Sequence, residues 1–252
     1  MGNMCCNPDD QKRNITNTRI EQDSILINSI GPKAEGNIGE FSRQDEEKEA
    51  LHRPLIQNAI KIKPKECNKE NLAVQEVMQS VGQYKPSYEI SESWQDLPQL
   101  GPYLYINGAT YIGQYKNSLR HGEGRQIGKD GSIYEGQWKN DKRNGKGRII
   151  YSDGDCYEGD WVDDKTEGYG KYLYKDGAYY EGKWLNNNQH GQGKEYFSDG
   201  SFYEGNYNEG AKGGNGVFVW PEGSKYTGDF TNNDLHGYGI FFRKNVDKIR
   251  GS

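Results

Sequence analysis

Aromatic residues alternate with glycine and charged residues in a pentapeptide that recurs through the second half of the chain. It reads YEGQW at 134–138, YEGDW at 157–161 and YEGKW at 180–184. The opening tyrosines of six copies lie 23 residues apart, at Tyr111, Tyr134, Tyr157, Tyr180, Tyr203 and Tyr226. The second aromatic residues are Tyr115, Trp138, Trp161, Trp184, Tyr207 and Phe230. Because successive side chains in a strand point to opposite faces, each copy predicts a strand with its aromatic residues and glycine on one face.

A Gly-x-Gly pair, such as Gly145 and Gly147, follows each pentapeptide and precedes alternating apolar residues. This pattern predicts a second strand, antiparallel to the first across a six-residue polar loop. Glycines inside a strand remove side chains where neighbouring rings must lie flat. A fixed period between roughly 20 and 50 residues indicates a repeat architecture, so the whole segment predicts an array of hairpins.

The turn between copies follows from the face that each residue must occupy. Each of the first five copies ends in an acidic residue and glycine, as in Asp153-Gly154. A two-residue loop there would pair the next tyrosine with the seventeenth residue of the preceding copy, which lies on the wrong face. A three-residue loop, with a type I turn and a left-handed glycine bulge, pairs it with the sixteenth residue instead. The eighteenth residues, which then join the aromatic face, include Tyr151, Tyr174, Phe197 and Trp220.

The opposite face of the predicted sheet is charged, with glutamate at the second position of most copies and arginine or lysine at the fifteenth. The facing pairs in this register are Glu135 with Arg148, Glu158 with Lys171 and Glu181 with Lys194. Such cross-strand pairs contribute roughly 0.2–1 kcal/mol each. The alternative is that the basic residues bind anionic lipid.

The first 98 residues contain no repeat. Residues 1–45 are polar without periodicity, which predicts disorder. One short helix is predicted near 54–62, and a second near 70–82, where four apolar residues between Val74 and Val81 share a face. Asn68 or Asn71 is expected to cap the second helix. We expect these helices to pack on the chain's own repeats, and docking onto a partner is the alternative.

The predicted fold is all-β, an elongated single-layer antiparallel sheet preceded by a largely disordered region with one or two short helices. The predicted boundaries are 1–98 for the N-terminal region, 99–242 for the repeat array and 243–252 for a short tail.

Composition narrows the classes of function. Hydrophobic residues make up 32% of the chain, too few for a layered core, but its 19 tyrosines and 34 glycines are atypical of a disordered chain. A net charge of −5 argues against a nucleic-acid partner. No apolar stretch approaches the roughly 20 residues of a membrane-spanning helix, none resembles a secretory signal, and four cysteines form no disulfide framework, which predicts a cytoplasmic protein. No phosphate-binding loop, paired-carboxylate site or metal-ligand spacing is recognisable, so we expect no enzyme activity, metal or cofactor.

The unit Y-x-G-x-W-x6-G-x-G-x5-D-G resembles the MORN repeat (membrane occupation and recognition nexus) over residues 102 to about 242. The resemblance implies a single-layer sheet that serves as a scaffold. Such arrays occur in junctional membrane proteins, ciliary radial-spoke heads and cytoskeletal collars of protists, and are also joined to lipid kinases and a methyltransferase. No such enzyme sequence follows Phe242, so those activities are not implied. The asparagine-rich leader resembles ciliate proteins, whereas Ile112 departs from the usual glutamate.

The chain begins MGNMCC. Gly2 is the acceptor position for N-myristoylation, and Cys5 and Cys6 are candidates for palmitoylation, although Cys6 stands where the myristoylation pattern has serine or threonine. One myristoyl chain binds membranes marginally, and a second chain makes the anchor stable. The sequence therefore predicts lipidation at Gly2, Cys5 and Cys6, with an unmodified N-terminus as the alternative.

These features together predict a non-catalytic scaffold on the cytoplasmic face of a membrane, at a cilium, basal body or cell cortex, that binds membrane lipids through its acyl chains and cytoskeletal or ciliary proteins through the sheet. The twelve aromatic residues of the pentapeptides are expected to be structural or to bind the partner. Because large aromatic faces are seldom left bare, we expect this face to be covered by the N-terminal helices, a second copy in a homodimer or a partner. The alternative function is a phosphoinositide-binding module or a regulatory subunit of a separately encoded lipid kinase.

Overall fold

The structure is a computed structural model that describes residues 59–63, 71–85 and 92–244. Within these ranges, 14 strands form one antiparallel sheet in sequence order, which confirms the predicted single-layer, all-β fold. The helices are α1 (Leu72–Val81) and α2 (Glu92–Gln95). The strands are β1 (Ala59–Lys61), β2 (Gln99–Tyr105), β3 (Thr110–Lys116), β4 (Leu119–Ile127), β5 (Ile133–Lys139), β6 (Lys142–Ile150), β7 (Cys156–Val162), β8 (Lys165–Leu173), β9 (Tyr179–Leu185), β10 (Asn188–Tyr196), β11 (Phe202–Asn208), β12 (Ala211–Val219), β13 (Lys225–Thr231) and β14 (Asp234–Phe242).

The turn between repeats has the predicted form. Tyr134 pairs with Gln126, the sixteenth residue of the preceding repeat. The amide of Gly131 donates to the carbonyl of Gly128 at 3.0 Å, and the amide of Gly128 donates to the carbonyl of Ser132 at 2.8 Å. Gly131 has a φ of +89°, the left-handed conformation of the bulge residue. The predicted three-residue turn and its register are therefore confirmed.

The turn within each repeat is shorter than predicted, so the prediction of a six-residue loop is wrong. Only Asn140 and Asp141 separate β5 from β6. Their φ angles of +51° and +67° are those of a type I′ turn, whose twist matches that of the flanking strands. Short Asn and Asp side chains tolerate this left-handed backbone. The second strand therefore starts three residues before Gly145. Its pairing with the first strand contains a bulge, where the register shifts between Gly136 and Trp138.

The helix predicted near 70–82 is present as α1, and Asn71 caps it by accepting a hydrogen bond from the amide of Val74 at 3.3 Å. The helix predicted near 54–62 is wrong for residues 59–61, which form β1 and pair with β2. An uncovered β2 edge would leave a row of unpaired backbone groups, and these three residues satisfy part of it. The disorder predicted for residues 1–45 concerns a segment outside the described residues.

Candidate protein-binding surfaces

The tyrosine that opens each repeat lies flat over two glycines. A Cβ atom at Gly159 would lie 2.5 Å from Tyr157 Oη, and one at Gly170 would lie 2.6 Å from Tyr157 Cε2. The Tyr157 hydroxyl donates to the carbonyl of Asp160 at 3.0 Å. Burial raises the pKa of Tyr157 above its ordinary value, which keeps this hydroxyl protonated. The glycines are therefore required because the ring occupies the space of their side chains.

The second aromatic residue of each pentapeptide joins neighbouring repeats. The ring of Trp161 contacts Tyr157 and Tyr134 edge-to-face, with centroid distances of 5.2 and 5.4 Å. Trp161 Nε1 also donates to the carbonyl of Gly147 in the preceding repeat at 3.1 Å. Aromatic pairs of this geometry contribute roughly 0.5–1.5 kcal/mol beyond the burial of their area. Contacts of this kind hold consecutive hairpins together along the array.

All twelve aromatic residues named from the pentapeptides are core side chains with at most 7% exposure. They are Tyr111, Tyr115, Tyr134, Trp138, Tyr157, Trp161, Tyr180, Trp184, Tyr203, Tyr207, Tyr226 and Phe230. Because they bury one another, they do not themselves present a surface to a partner. We call the face that they occupy the inner face.

Charged residues on the inner face were not recognised in the sequence. The guanidinium of Arg143 lies 4.9 Å from the Trp161 ring centroid, and its Nε is 3.2 Å from Asp164 Oδ1. Farther along, Lys212 and Glu195 form an ion pair of 3.0 Å, and both side chains are about 5% exposed or less. The sequence indicates these residues only weakly, because the tenth position of successive repeats changes from arginine to threonine, glutamine and lysine.

A row of half-buried aromatic side chains lies beside this core on the inner face. Its members, which we call the aromatic row, are Tyr151, Tyr174, Phe197 and Trp220. Their spacing is one per repeat, and each packs on the core below, as Trp220 does on Phe218 with a centroid distance of 4.8 Å. The turn carboxylates of Asp176 and Asp199 are exposed beside the row. The aromatic row is thus a part of the inner face that a partner can reach.

The opposite, outer face carries the predicted charge pairs. Arg148 Nη2 lies 3.1 Å from Glu135 Oε2, which confirms that pair. Glu158 also faces Lys171 in the observed register. Glu181 faces Lys194 as predicted, and Lys194 makes a 2.9 Å ion pair with Glu204 on its other side, across the next repeat boundary. The basic residues therefore lie within a ladder of alternating charge.

Helix α1 packs on the outer face of the sheet. The prediction that this helix packs on the repeats is confirmed. The prediction that it covers the aromatic face is wrong. Five residues of the sheet form what we call the α1 site, namely Ile127, Ile133, Ile150, Cys156 and Leu173. Arg148 Nη1 donates to the carbonyl of Gly82 at 3.0 Å, just beyond the end of α1. Burial raises the pKa of the Cys156 thiol to about 12, consistent with a packing role.

Other candidate residues form no site in the part of the chain that the structure describes. Gly2, Cys5 and Cys6 lie outside it. Among residues 59–63, 71–85 and 92–244, no group of three or more His, Cys, Asp or Glu side chains is placed to hold a metal ion. None of the helices in these same ranges is long and apolar enough to span a membrane.

Comparison with known families gives a match over the repeat array. A family model described as the MORN repeat matches six consecutive segments: 111–133, 134–156, 157–179, 180–202, 203–225 and 226–245. These segments together cover more than half of the chain. No curated protein sequence matches.

Solved structures with related sheets align at low similarity. The TCP10 domain of Danio rerio CPAP is 12% identical, with 50% of this chain and 59% of that chain covered and a TM-score of 0.32. This chain therefore spans less than two thirds of that domain. The SAS-4 TCP domain of Drosophila melanogaster, in complex with a proline-rich motif of Ana2, is 13% identical, with 65% and 98% covered and a TM-score of 0.33. Scores this low carry no functional argument.

Proposed function

The chain belongs to the MORN-repeat family, and from this premise we propose that it is a non-catalytic scaffold whose sheet binds a protein partner. In this proposal, acyl chains on Gly2, Cys5 and Cys6 hold it on the cytoplasmic face of a membrane. The proposed partner is cytoskeletal or ciliary, because the MORN arrays that it resembles occur in radial-spoke heads and cytoskeletal collars. The site of action is then a cilium, basal body or cell cortex.

The observation that carries the partner-binding role is the aromatic row. Phe197 and Trp220 are half-buried, and both rest on the buried ring of Phe218, at centroid distances of 5.9 and 4.8 Å. Side chains that are already held in place lose little conformational freedom when a partner covers them. Tryptophan and tyrosine in such settings are frequent binding hot spots. The row therefore supports protein binding on the inner face.

Site-specific photo-crosslinking in the native cell tests this role. A photoreactive phenylalanine analogue at Trp220 is expected to crosslink the partner, whereas the same analogue at Lys183, an exposed position on the outer face, is not. Phe197→Ala is expected to weaken partner binding at least tenfold while the array remains folded. Equal crosslinking from both positions, or unchanged binding by the variant, would contradict a role for the aromatic row.

Membrane fractionation tests the proposed anchor. Gly2→Ala removes the acceptor of myristate, and palmitoylation in turn depends on membrane contact, so this variant is expected to be soluble. Cys5→Ser with Cys6→Ser leaves one weakly binding chain, so partial, reversible partitioning is expected. If Gly2→Ala stays in the pellet and detergent does not release it, the protein is attached through its sheet and the lipid anchor is wrong.

A further inference from the structure

The surface beneath α1 recurs two repeats farther along the array. Advancing each residue of the α1 site by two periods of 23 residues gives Leu173, Tyr179, Tyr196, Phe202 and Val219, which we call the second site. These residues occupy the same register positions of the same face, because the strand pairing repeats along the sheet. The second site therefore has the backbone geometry that α1 uses, with aromatic residues in place of Ile133, Ile150 and Cys156.

Helix α1 covers the first of these surfaces, whereas neither described helix covers the second beyond Leu173, the residue that the two sites share. In the α1 site, a Cβ atom at Gly154 would lie 3.7 Å from both Ala73 and Val77 of the helix. At Gly200, the equivalent glycine of the second site, no described atom beyond the chain neighbours lies within 4 Å of that position. Exposure agrees, since Ile150 is 1% exposed and its counterpart Tyr196 is 37% exposed.

The second site presents a continuous apolar strip. The ring of Tyr196 stacks on Tyr179 at 4.6 Å with an interplanar angle of 20°, and on Phe202 at 5.6 Å with an angle of 22°. Lys171 Nζ lies 4.1 Å from the centroid of the Tyr179 ring at one end of the strip. Three parallel rings on a rigid sheet offer a flat surface suited to an apolar partner.

The polar groups that hold the ends of α1 also recur. Asn71 donates to the carbonyls of Asp130 and Ser152 at 3.2 and 3.1 Å, and the equivalent residues two repeats later are Asp176 and Ser198. Arg148, which donates to the carbonyl at the end of α1, is replaced by Lys194. The second site thus keeps carbonyl groups for a helix N-cap and a cation for the other helix end.

We propose that the second site binds an amphipathic α-helix of a partner protein in the way that the α1 site binds α1. The helix has apolar residues at i, i+3, i+4 and i+7, as α1 has at Val74, Val77, Met78 and Val81. Its N-cap residue donates to the turn carbonyls, and its last carbonyls face Lys194. The second site continues the interface that α1 already forms. Because it lies on the face opposite the aromatic row, this proposal does not depend on the function proposed above.

A peptide derived from α1 is the appropriate probe. Residues 69–84, labelled with fluorescein and held helical by a lactam bridge between positions 75 and 79 (Gln75→Glu and Gln79→Lys, both exposed), are titrated with the full chain. Tethered α1 keeps its own site at high effective concentration, which directs the added peptide to the second site. Saturable fluorescence anisotropy is expected, and Val77→Asp in the peptide is expected to abolish it.

Two variants of the full chain locate the binding. Tyr196→Thr with Phe202→Thr, which keeps good strand formers in place, is expected to weaken peptide binding at least tenfold. Tyr238→Thr, at a 91% exposed position outside the second site, is the matched control and is expected to leave binding unchanged. No saturable binding by the native chain, or equal affinity for the double variant, would overturn the proposal.

Hydroxyl-radical footprinting of the full chain separates the possible occupants. Tyr196 and Phe202 are expected to react at every protein concentration and to be protected only when the peptide is added. Protection without peptide at all concentrations would identify another segment of this chain as the occupant. Protection that increases with protein concentration would identify a second copy, and either outcome would overturn a partner helix.

Discussion

Replacing Trp161 by alanine in the middle of the array tests whether contacts between neighbouring repeats determine stability. Trp161 is 1% exposed and contacts the rings of Tyr134 and Tyr157. Loss of a buried tryptophan costs roughly 3–5 kcal/mol. Its hydrogen bond to the carbonyl of Gly147 adds roughly 1 kcal/mol, and Arg143 over its ring adds a cation–π contact. We therefore expect a loss in the upper half of that range, about 4–5 kcal/mol.

Phe230→Ala is the matched comparison at the C-terminal end of the array. Phe230 is 2% exposed and also has two edge-to-face partners, Tyr203 and Tyr226. It lacks the indole hydrogen bond, and its repeat has a neighbour on one side only in the described sheet. In a one-dimensional array, stability is close to a sum of local and nearest-neighbour contributions. We expect a loss of about 2–3 kcal/mol, which is about 2 kcal/mol less than at Trp161.

Urea unfolding followed by far-ultraviolet circular dichroism measures both free energies. Trp161→Ala is also expected to broaden the transition, because it weakens the link between the two halves of the array. Tyr238→Ala, at an exposed position, serves as the control and is expected to change stability by less than about 0.5 kcal/mol. Equal losses at Trp161 and Phe230, with an unchanged urea slope, would refute the one-dimensional account.

Three further predictions concern single residues. Gly159→Ala is expected to lower the free energy of unfolding in urea by about 3 kcal/mol or more, because its Cβ would lie 2.5 Å from the Cα of Gly170. Gly213→Ala is the control and is expected to change little, because the nearest atom to its Cβ would lie 4.0 Å away. Arg148→Ala removes a 3% exposed cation and is expected to cost about 3 kcal/mol and to raise amide exchange in α1. Burial lowers the pKa of His121, so the unfolded chain takes up a proton before the folded chain as pH falls below about 6.5. The free energy of unfolding in urea is therefore expected to decrease below that pH in the native chain and not in His121→Gln.

The sequence was sufficient to predict the strand register, because period-two alternation leaves little choice. Once Tyr157 had to share a face with Gly145 and Gly147 of the preceding repeat, only a three-residue turn satisfied the parity. The pair of Glu135 and Arg148 came instead from the predicted hairpin within a repeat, and it is present although the loop is shorter, because a bulge restores the register at Gly136. Parity arguments of this kind depend only on backbone geometry, which explains why they held for every repeat boundary that the structure describes.

The hairpin turn and the location of α1 depend on information that alternation does not contain. Asn140-Asp141 was a signal for a type I′ turn, but the bulge near Gly145 broke the alternation and concealed the start of the strand. Helical periodicity identified the apolar face of α1 without indicating which face of the sheet it would meet. Ile127, Ile133 and Ile150, three isoleucines that lie close together on the outer face, were the signal that identifies its site.

The two faces of the sheet differ in how far their residues can change from repeat to repeat. On the inner face, a Cβ atom at Gly159 or Gly170 would overlap a tyrosine ring, so glycine occupies these positions in all six copies. A face that buries its own aromatic residues needs no second layer to cover it. The outer face consequently does not contribute to this core, and its equivalent positions can change, as from Ile150 to Tyr196, without altering the backbone. A single-layer repeat can thus keep one uniform core while each segment of its outer face takes a different helix.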